Sequence, residues 1–424
     1  MKFNRIATLN QRVERITTST LVVGVDIAKE RHVAQAVSFR GIVLSKRPIV
    51  FENTQVGFEL FERSIRKLQQ DHKMDDVIVG MESTGHYWFN LASWLTNKGI
   101  EVVLVNPATT KRNKENRDNT PSKSDPKDAL IIADVVSRGY YTPYRPEEEM
   151  FQRLRIMMTN RERWTKQSAR LKNQITRWLD IRFPEYTSVF KEIDCPRSLA
   201  TLREFPSPSD LQGLTPQDVV DRWATHMSRP GGNRGLQKAA ELIHKAKHSI
   251  GAVVGLEEDK WDLENLLDEF ERVQEILRET ERRIEKLLPE IPLAECLKSI
   301  GLTPTICAAV LAFGGDVSQL EHGNQLLRRA GLNLAEKTSG KYKGKIKLSK
   351  RGNSLLRKHL FLAVIHLVKG NEAFKAWHQH NVEQKRMSKM RSIMKLIGKL
   401  ARILVAMCRK GETFSTETTP AMAA

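Results

Sequence analysis

The first 140 residues hold the pattern that most limits the fold. LVVGVDIAKE at 21–30, HVAQAVSF at 32–39 and GIVLSKRPIV at 41–50 are β-branched runs separated by short polar breaks. That spacing predicts a three-stranded antiparallel meander. A helix is expected from Thr54, with apolar positions at Phe58, Phe61, Ile65 and Leu68. DVIVGMES at 76–83 reads as a buried strand, and HYWFNLASWLTNKG as a helix closed by Gly99. EVVLVNP reads as a strand stopped by Pro107. After a polar loop, SDPKDALIIADVVSRG reads as a helix with Pro126 in its first turn.

Three hairpin strands followed by alternating helices and strands give the order βββαβαβα. That is the order of a ribonuclease-H-like mixed sheet, so an α/β domain is expected over 21–145. Residues 1–20 are polar and expected as a flexible tail. Residues 146–290 are expected as an all-α, coiled-coil middle with an irregular, Pro- and Gly-rich insertion at 184–235. One helical seam there carries Leu154, Met157, Trp164, Leu171, Ile175 and Trp178, interrupted by Arg161 and Ser168. Later, Leu263, Phe270, Leu277 and Ile284 recur every seven residues, with Leu266, Val273, Thr280 and Leu287 offset by three. This is a coiled-coil seam about four heptads long. It fits pairing with a second chain, or a long bundle helix packed inside its own. A mainly α domain is expected over 291–410, with a helix-hairpin-helix at ECLKSIGLTPTICAAVLAFGGD, and a frayed tail over 411–424.

Charge narrows the partners. Lys and Arg outnumber Asp and Glu by 69 to 50, a formal net charge of +19 over 424 residues. Nearly all of that excess falls between Lys337 and Lys410, where 20 basic residues meet only Glu372 and Glu383. A segment this basic, interleaved with apolar helical pattern, fits a polyanion, most often nucleic acid. Within it Lys341, Lys343, Lys345, Lys347, Lys350, Arg351, Arg357 and Lys358 are the candidate phosphate contacts. The basic faces of the helix near 153–177, including Arg163 and Arg170, offer a second surface.

Other classes fall away. No apolar run is long enough to span a bilayer, and the N-terminal stretch lacks the apolar core of a secretory signal. A cytoplasmic, nucleoid-associated protein is expected. Cys195, Cys296, Cys307 and Cys408 form no CxxC pair and read as buried free thiols. There is no P-loop and no GxSxG elbow. His86 fits capping or packing better than base chemistry.

Four acids remain. Asp26 and Glu82 each end a predicted strand, where a carboxylate reaches the rim of a sheet. Asp125 and Asp128 are three apart at a helix start and share one face. Each alone fits a cap or a surface charge, Asp125 especially. Together they suit hard divalent cations, with two Mg²⁺ ions serving phosphoryl transfer.

VGVDIAKE, MESTGHYW, VNP and SDPKDALIIADV, in this order, resemble the N-terminal domain of the IS110 family of transposases. SIGLTPTICAAVLAFGGD, AGLNLAEKTSG and SKRGNSLLRKHL resemble that family's second domain. The resemblance covers roughly 21–145 and 293–380. One departure is Ile300 directly before Gly301, where the family often has a Pro-Gly pair.

The resemblance implies a RuvC-like nuclease fold whose DEDD set is Asp26, Glu82, Asp125 and Asp128. It implies a serine nucleophile, which falls on Ser339. On the residues alone, Ser339 would only start a turn before Gly340, and Ser349 is the other serine of the region. It further implies donor and target DNA as substrates, a structured guide RNA from the element, and a homodimer or tetramer. A water-using RuvC-like junction nuclease shares the acids without needing the serine. A non-catalytic nucleic-acid-binding protein would need only the charge.

Overall fold

The computed structural model describes residues 2–114, 124–145, 148–229, 231–335, 338–339, 342–344 and 346–414. The chain forms two compact units, Met1–Pro146 and Glu147–Ala424.

The first unit runs α1 (Lys2–Glu14), β1 (Thr20–Asp26), β2 (Arg31–Val37), β3 (Ile49–Glu52), α2 (Gln55–His72), β4 (Asp76–Glu82), α3 (Trp88–Asn97), β5 (Glu101–Val105), α4 (Pro107–Asn113), α5 (Asp125–Ser137) and β6 (Thr142–Pro143). The six strands form one sheet in the order β3-β2-β1-β4-β5-β6. β1, β2 and β3 pair antiparallel, while β1, β4 and β5 lie parallel. The mixed α/β sheet expected from the element order is present.

The central strands are buried on both faces, which is why they read as continuous apolar runs. Side chains alternate between two cores. Leu21, Val23 and Val25 of β1 and Val79 and Met81 of β4 meet Phe58, Phe61 and Ile65 of α2 and Leu91 and Leu95 of α3. Val22, Ile78 and Val103 face the other way, onto Ile131, Ile132, Val135 and Val136 of α5.

Three details differ from the sequence reading. The stretch expected as a loose tail forms α1, tied down by Arg12 to the Tyr141 carbonyl at 2.5 Å and by the Tyr141 hydroxyl to the Arg12 carbonyl at 3.1 Å. Arg15 adds ion pairs to Asp76 and Glu101. These anchors lie far away in sequence, so no local pattern revealed them. The third strand begins only at Ile49, and the earlier part of its expected span contributes a single bridge, Val37 to Val43. Pro107 does not merely stop a strand: it opens α4 at the first helical position, with Asn106 capping the Ala108 N–H at 2.9 Å.

The second unit begins with α6 (Glu149–Arg182), α7 (Tyr186–Val189), α8 (Pro196–Glu204), α9 (Pro216–His226), α10 (Gly232–Lys247) and α11 (Leu256–Leu287). α6 and α11 pack antiparallel, so the heptad seam of α11 is met by α6 of the same chain. Leu263, Phe270, Val273, Ile284 and Leu287 are buried there. The two polar residues that interrupt the α6 seam have polar partners waiting on α11. Arg161 bonds Glu281 at 2.6 Å, and the Gln274 amide donates to Ser168 at 2.8 Å. At the far end Arg182 is buried among Asp259 and the carbonyls of Ala252, Val254 and Gly255.

The segment expected as irregular carries α7, α8 and α9, joined by loops. Pro196 and Pro216 sit in the first turns of α8 and α9, where proline costs no hydrogen bond. Its side chains share a core with the distal halves of α6 and α11.

The remainder comprises α12 (Leu293–Ser299), α13 (Pro304–Gly314), α14 (Gly323–Arg329), α15 (Ser354–Gly370), α16 (Glu372–Glu383) and α17 (Lys389–Lys410). Between α14 and α15 lie β7 (Leu334–Ala335), β8 (Thr338–Ser339), β9 (Tyr342–Lys343) and β10 (Lys347–Leu348). Two short helices joined by a four-residue turn, α12 and α13, stand where the helix-hairpin-helix is expected. From Ile306 to its end α13 is buried on every side and forms the middle of this core. Residues 411–414, expected to fray, dock back: the Phe414 N–H donates to Ser299 Oγ at 2.8 Å. The rest of that tail lies outside the described residues. Cys296, Cys307 and Cys408 are buried free thiols, while Cys195 is half-buried.

Candidate active site

The acid edge is built by strand alternation. Asp26 and Glu82 are the last residues of β1 and β4, one step beyond the paired Val25 and Met81. Counting back by two from each acid reaches Gly24 and Gly80, on the sheet face that carries α5. Neither position has room for a side chain. A Cβ on Gly24 would lie 2.2 Å from the Ala129 carbonyl oxygen and 2.4 Å from the Ala133 nitrogen. One on Gly80 would lie 2.5 Å from a Val136 methyl. These glycines let α5 settle directly on the two central strands. Its first turn, bearing Asp125 and Asp128, is thereby carried to the same face as Asp26 and Glu82.

The acids differ in setting. Asp128 is 8% exposed, Asp26 and Glu82 are intermediate, and Asp125 is exposed. Lys114, which follows α4, places Nζ 2.9 Å from Asp128 Oδ1 and 3.0 Å from Oδ2. Only the Oδ2 contact has hydrogen-bond geometry; Oδ1 is buried with no hydrogen-bond partner. The Thr84 hydroxyl donates to Glu82 Oε1 at 2.5 Å. Thr84 stands two residues after Glu82 in the MESTG run, and its role was not read from the sequence. His86 is exposed, packs its ring against Tyr87, and accepts the Phe89 N–H at its carbonyl at 3.3 Å.

Among the described residues, no three His, Cys, Asp or Glu side chains are gathered closely enough to hold a metal ion as they stand. The donor chemistry nonetheless fits a hard divalent cation. Every candidate ligand is a carboxylate oxygen, and one buried oxygen of Asp128 lacks a hydrogen-bond partner.

In the second unit, Ser339 is the last residue of β8 and pairs with Tyr342 of β9. Its side chain, with that of Lys343, lies outside the description, as do Lys341 and Lys345 altogether. Arg117 and Lys123, between Lys114 and Asp125 in the sequence, are also outside it. Lys347, Lys350 and Arg351 are exposed, as are Arg163 and Arg170. Two other basic candidates are committed internally. Arg357 donates to the Ala330 carbonyl at 2.8 Å, and Lys358 pairs with the buried Glu162 at 2.8 Å. Ser349 is held by Asn333, donating to its Oδ1 at 2.7 Å, which gives it a turn-fastening role.

Residues 23–184 match the family model for IS110 DEDD transposases, and residues 294–379 match that for the IS116/IS110/IS902 transposase family. The chain belongs to the IS110 family of transposases. It is also 24% identical over 337 residues to the insertion element IS116 uncharacterized 44.8 kDa protein of Streptomyces clavuligerus, covering 79% of this chain and 81% of that one. The first IS110 match takes in the whole acid edge and runs on along α6. The second takes in α12 to α15, including Ser339 and the short strands around it. As a transposase the chain is a DNA-handling enzyme. Among the described residues, no helix is long and apolar enough to cross a membrane.

Proposed function

We propose that this transposase cuts and rejoins DNA strands of an insertion element with a metal-dependent DEDD site and a serine nucleophile. The observation that carries the reading is that Asp26 and Glu82 end neighbouring parallel strands on the face covered by α5, whose close approach Gly24 and Gly80 allow. Such a surface repels a phosphodiester unless cations intervene, and its ligands are of the type Mg²⁺ takes.

Asp26, Glu82, Asp125 and Asp128 would hold the ions. Two bound Mg²⁺ ions would supply positive charge to the scissile phosphate and to the attacking and leaving oxygens. Ser339 Oγ attacks the phosphorus as its proton is drawn to a neighbouring base. The bond to the 3′ oxygen breaks, that oxygen takes a proton, and the 5′ phosphate stays on the serine. Rejoining reverses the roles: a 3′ hydroxyl attacks the serine-linked phosphate and Ser339 Oγ leaves, reprotonated. An alcohol is a weak nucleophile until its proton is removed, so Ser339 needs a base or a cation beside it as it attacks. Strand exchange needs several such sites at once, so a dimer or tetramer is the working form. Within one chain α11 packs on α6.

Donor and target recognition is assigned to a structured RNA from the element. The protein then supplies charge without sequence choice, which Lys347, Lys350, Arg351, Arg163 and Arg170 suit by their exposure.

The test is expression with the DNA flanking the gene, sequencing of co-purified RNA, and incubation with labelled junction DNA and Mg²⁺. A protein–DNA adduct that survives denaturant, and is lost in Ser339→Ala and Asp128→Asn, supports the reading. Cutting that persists in Ser339→Ala without any adduct would establish water as the nucleophile.

A further inference from the structure

We propose that Lys114 is a resident counter-ion for Asp128, holding that carboxylate in the metal-free protein and giving it up when a divalent cation binds. The proposal rests on the reading of the acids as a metal site.

Asp128 is fixed by its helix, its backbone N–H bonding the Ser124 carbonyl at 2.9 Å, and its side chain is only 11% exposed. A carboxylate buried to that degree is costly without a positive partner. Without an ion the chain must provide one itself. α4 hangs from the end of β5, the strand beside β4, and delivers Lys114 from that side.

The contact has the form of a temporary one. Nζ lies almost equally far from the two carboxylate oxygens, at 2.9 and 3.0 Å, on the side from which a hard cation would approach them more closely. One of those contacts fails as a hydrogen bond, so Oδ1 keeps an acceptor site unused. The two partners are unequally buried: the Lys114 side chain is 35% exposed against 11% for Asp128. Lysine can therefore withdraw into solvent on its flexible stem, while the carboxylate stays in place. A divalent ion carries twice the charge and can use both oxygens, so it displaces the ammonium at modest cost.

Two readouts on the full-length chain without DNA test this. The first is Mn²⁺ binding followed by the electron paramagnetic resonance of the free ion. Lys114→Gln removes the competitor and should tighten Mn²⁺ binding by about tenfold. Lys114→Arg keeps a charged partner and should bind as the wild type does, or more weakly. The second is lysine acetylation read by mass spectrometry. Lys114 of the wild type should be protected in EDTA and become reactive in saturating Mg²⁺, whereas in Asp128→Asn it should react in both.

Unchanged or weaker Mn²⁺ binding in Lys114→Gln, with binding lost in Asp128→Asn, overturns the counter-ion role and leaves the metal reading standing. Mn²⁺ binding that is absent from the wild type, or untouched by Asp128→Asn, overturns the metal reading and this inference with it. If Lys114→Gln does not fold, acetylation of the wild type decides: protection that saturating Mg²⁺ does not relieve overturns the proposal.

Discussion

A Cβ on Gly24 would stand 2.2 Å from the carbonyl oxygen of Ala129, so the first central strand and α5 touch backbone to backbone beneath the acid edge. Backbone neighbours cannot swing aside as side chains can. Gly24→Ala should therefore destabilise the chain by about 3 kcal/mol, the upper range for overpacking a tight site. It should also abolish DNA cutting, because α5 carries Asp125 and Asp128. Thermal unfolding and a nicking assay on the same preparation check both effects.

The four acids should separate in stability while agreeing in activity. Asp26→Asn, Glu82→Gln, Asp125→Asn and Asp128→Asn should each slow cutting by about a thousandfold or more, since each removes charge from the site that steadies the reacting phosphate. Asp125 is exposed, so its substitution should leave the melting temperature unchanged. Asp128 is buried and ion-paired, so its substitution should shift it. Nicking rates and melting curves for the four variants decide the matter.

Lys358 and Arg351 lie seven residues apart in the basic segment and should behave oppositely. Lys358 pairs with Glu162, which is 9% exposed, so Lys358→Ala strands a buried carboxylate. With Lys358 itself 41% exposed, solvent screening reduces the cost to about 1–2 kcal/mol. Arg351→Ala should leave stability alone and lower the slope of log affinity against log salt by about 1. Melting curves and salt-dependent DNA binding separate the two roles.

His359 should set an acid limit on stability. Burial, reinforced by Lys358 and Arg161 and opposed by Glu162, lowers its pKa from the ordinary 6.5 to about 4. Below pH 6.5 the unfolded chain takes up a proton that the folded chain refuses. Stability is therefore insensitive to this group above 6.5, and falls as pH drops from there towards 4. Below about 4 the folded form is protonated too and the slope ends. Replacing His359 with Gln should flatten that part of the profile, measured by urea unfolding across the range.

The sequence by itself determined the alternation of elements, the acids that end two strands and start one helix, and the concentration of charge after Lys337. Each is written in local pattern: continuous β-branched runs for the strands, period 3.6 for α2, and a proline at the start of α5. Short contacts between distant segments were not legible, because they depend on what the fold brings opposite. Arg12 finding Tyr141 turned an expected tail into a helix. Arg161 and Ser168, which look like flaws in an apolar seam, are matched by Glu281 and Gln274 across the hairpin. The same holds at the acid edge. Asp128 could be named from its place in the first turn of a helix, but only tertiary structure set Lys114 upon it, since burial created the need for a counter-charge and α4 carried one within reach.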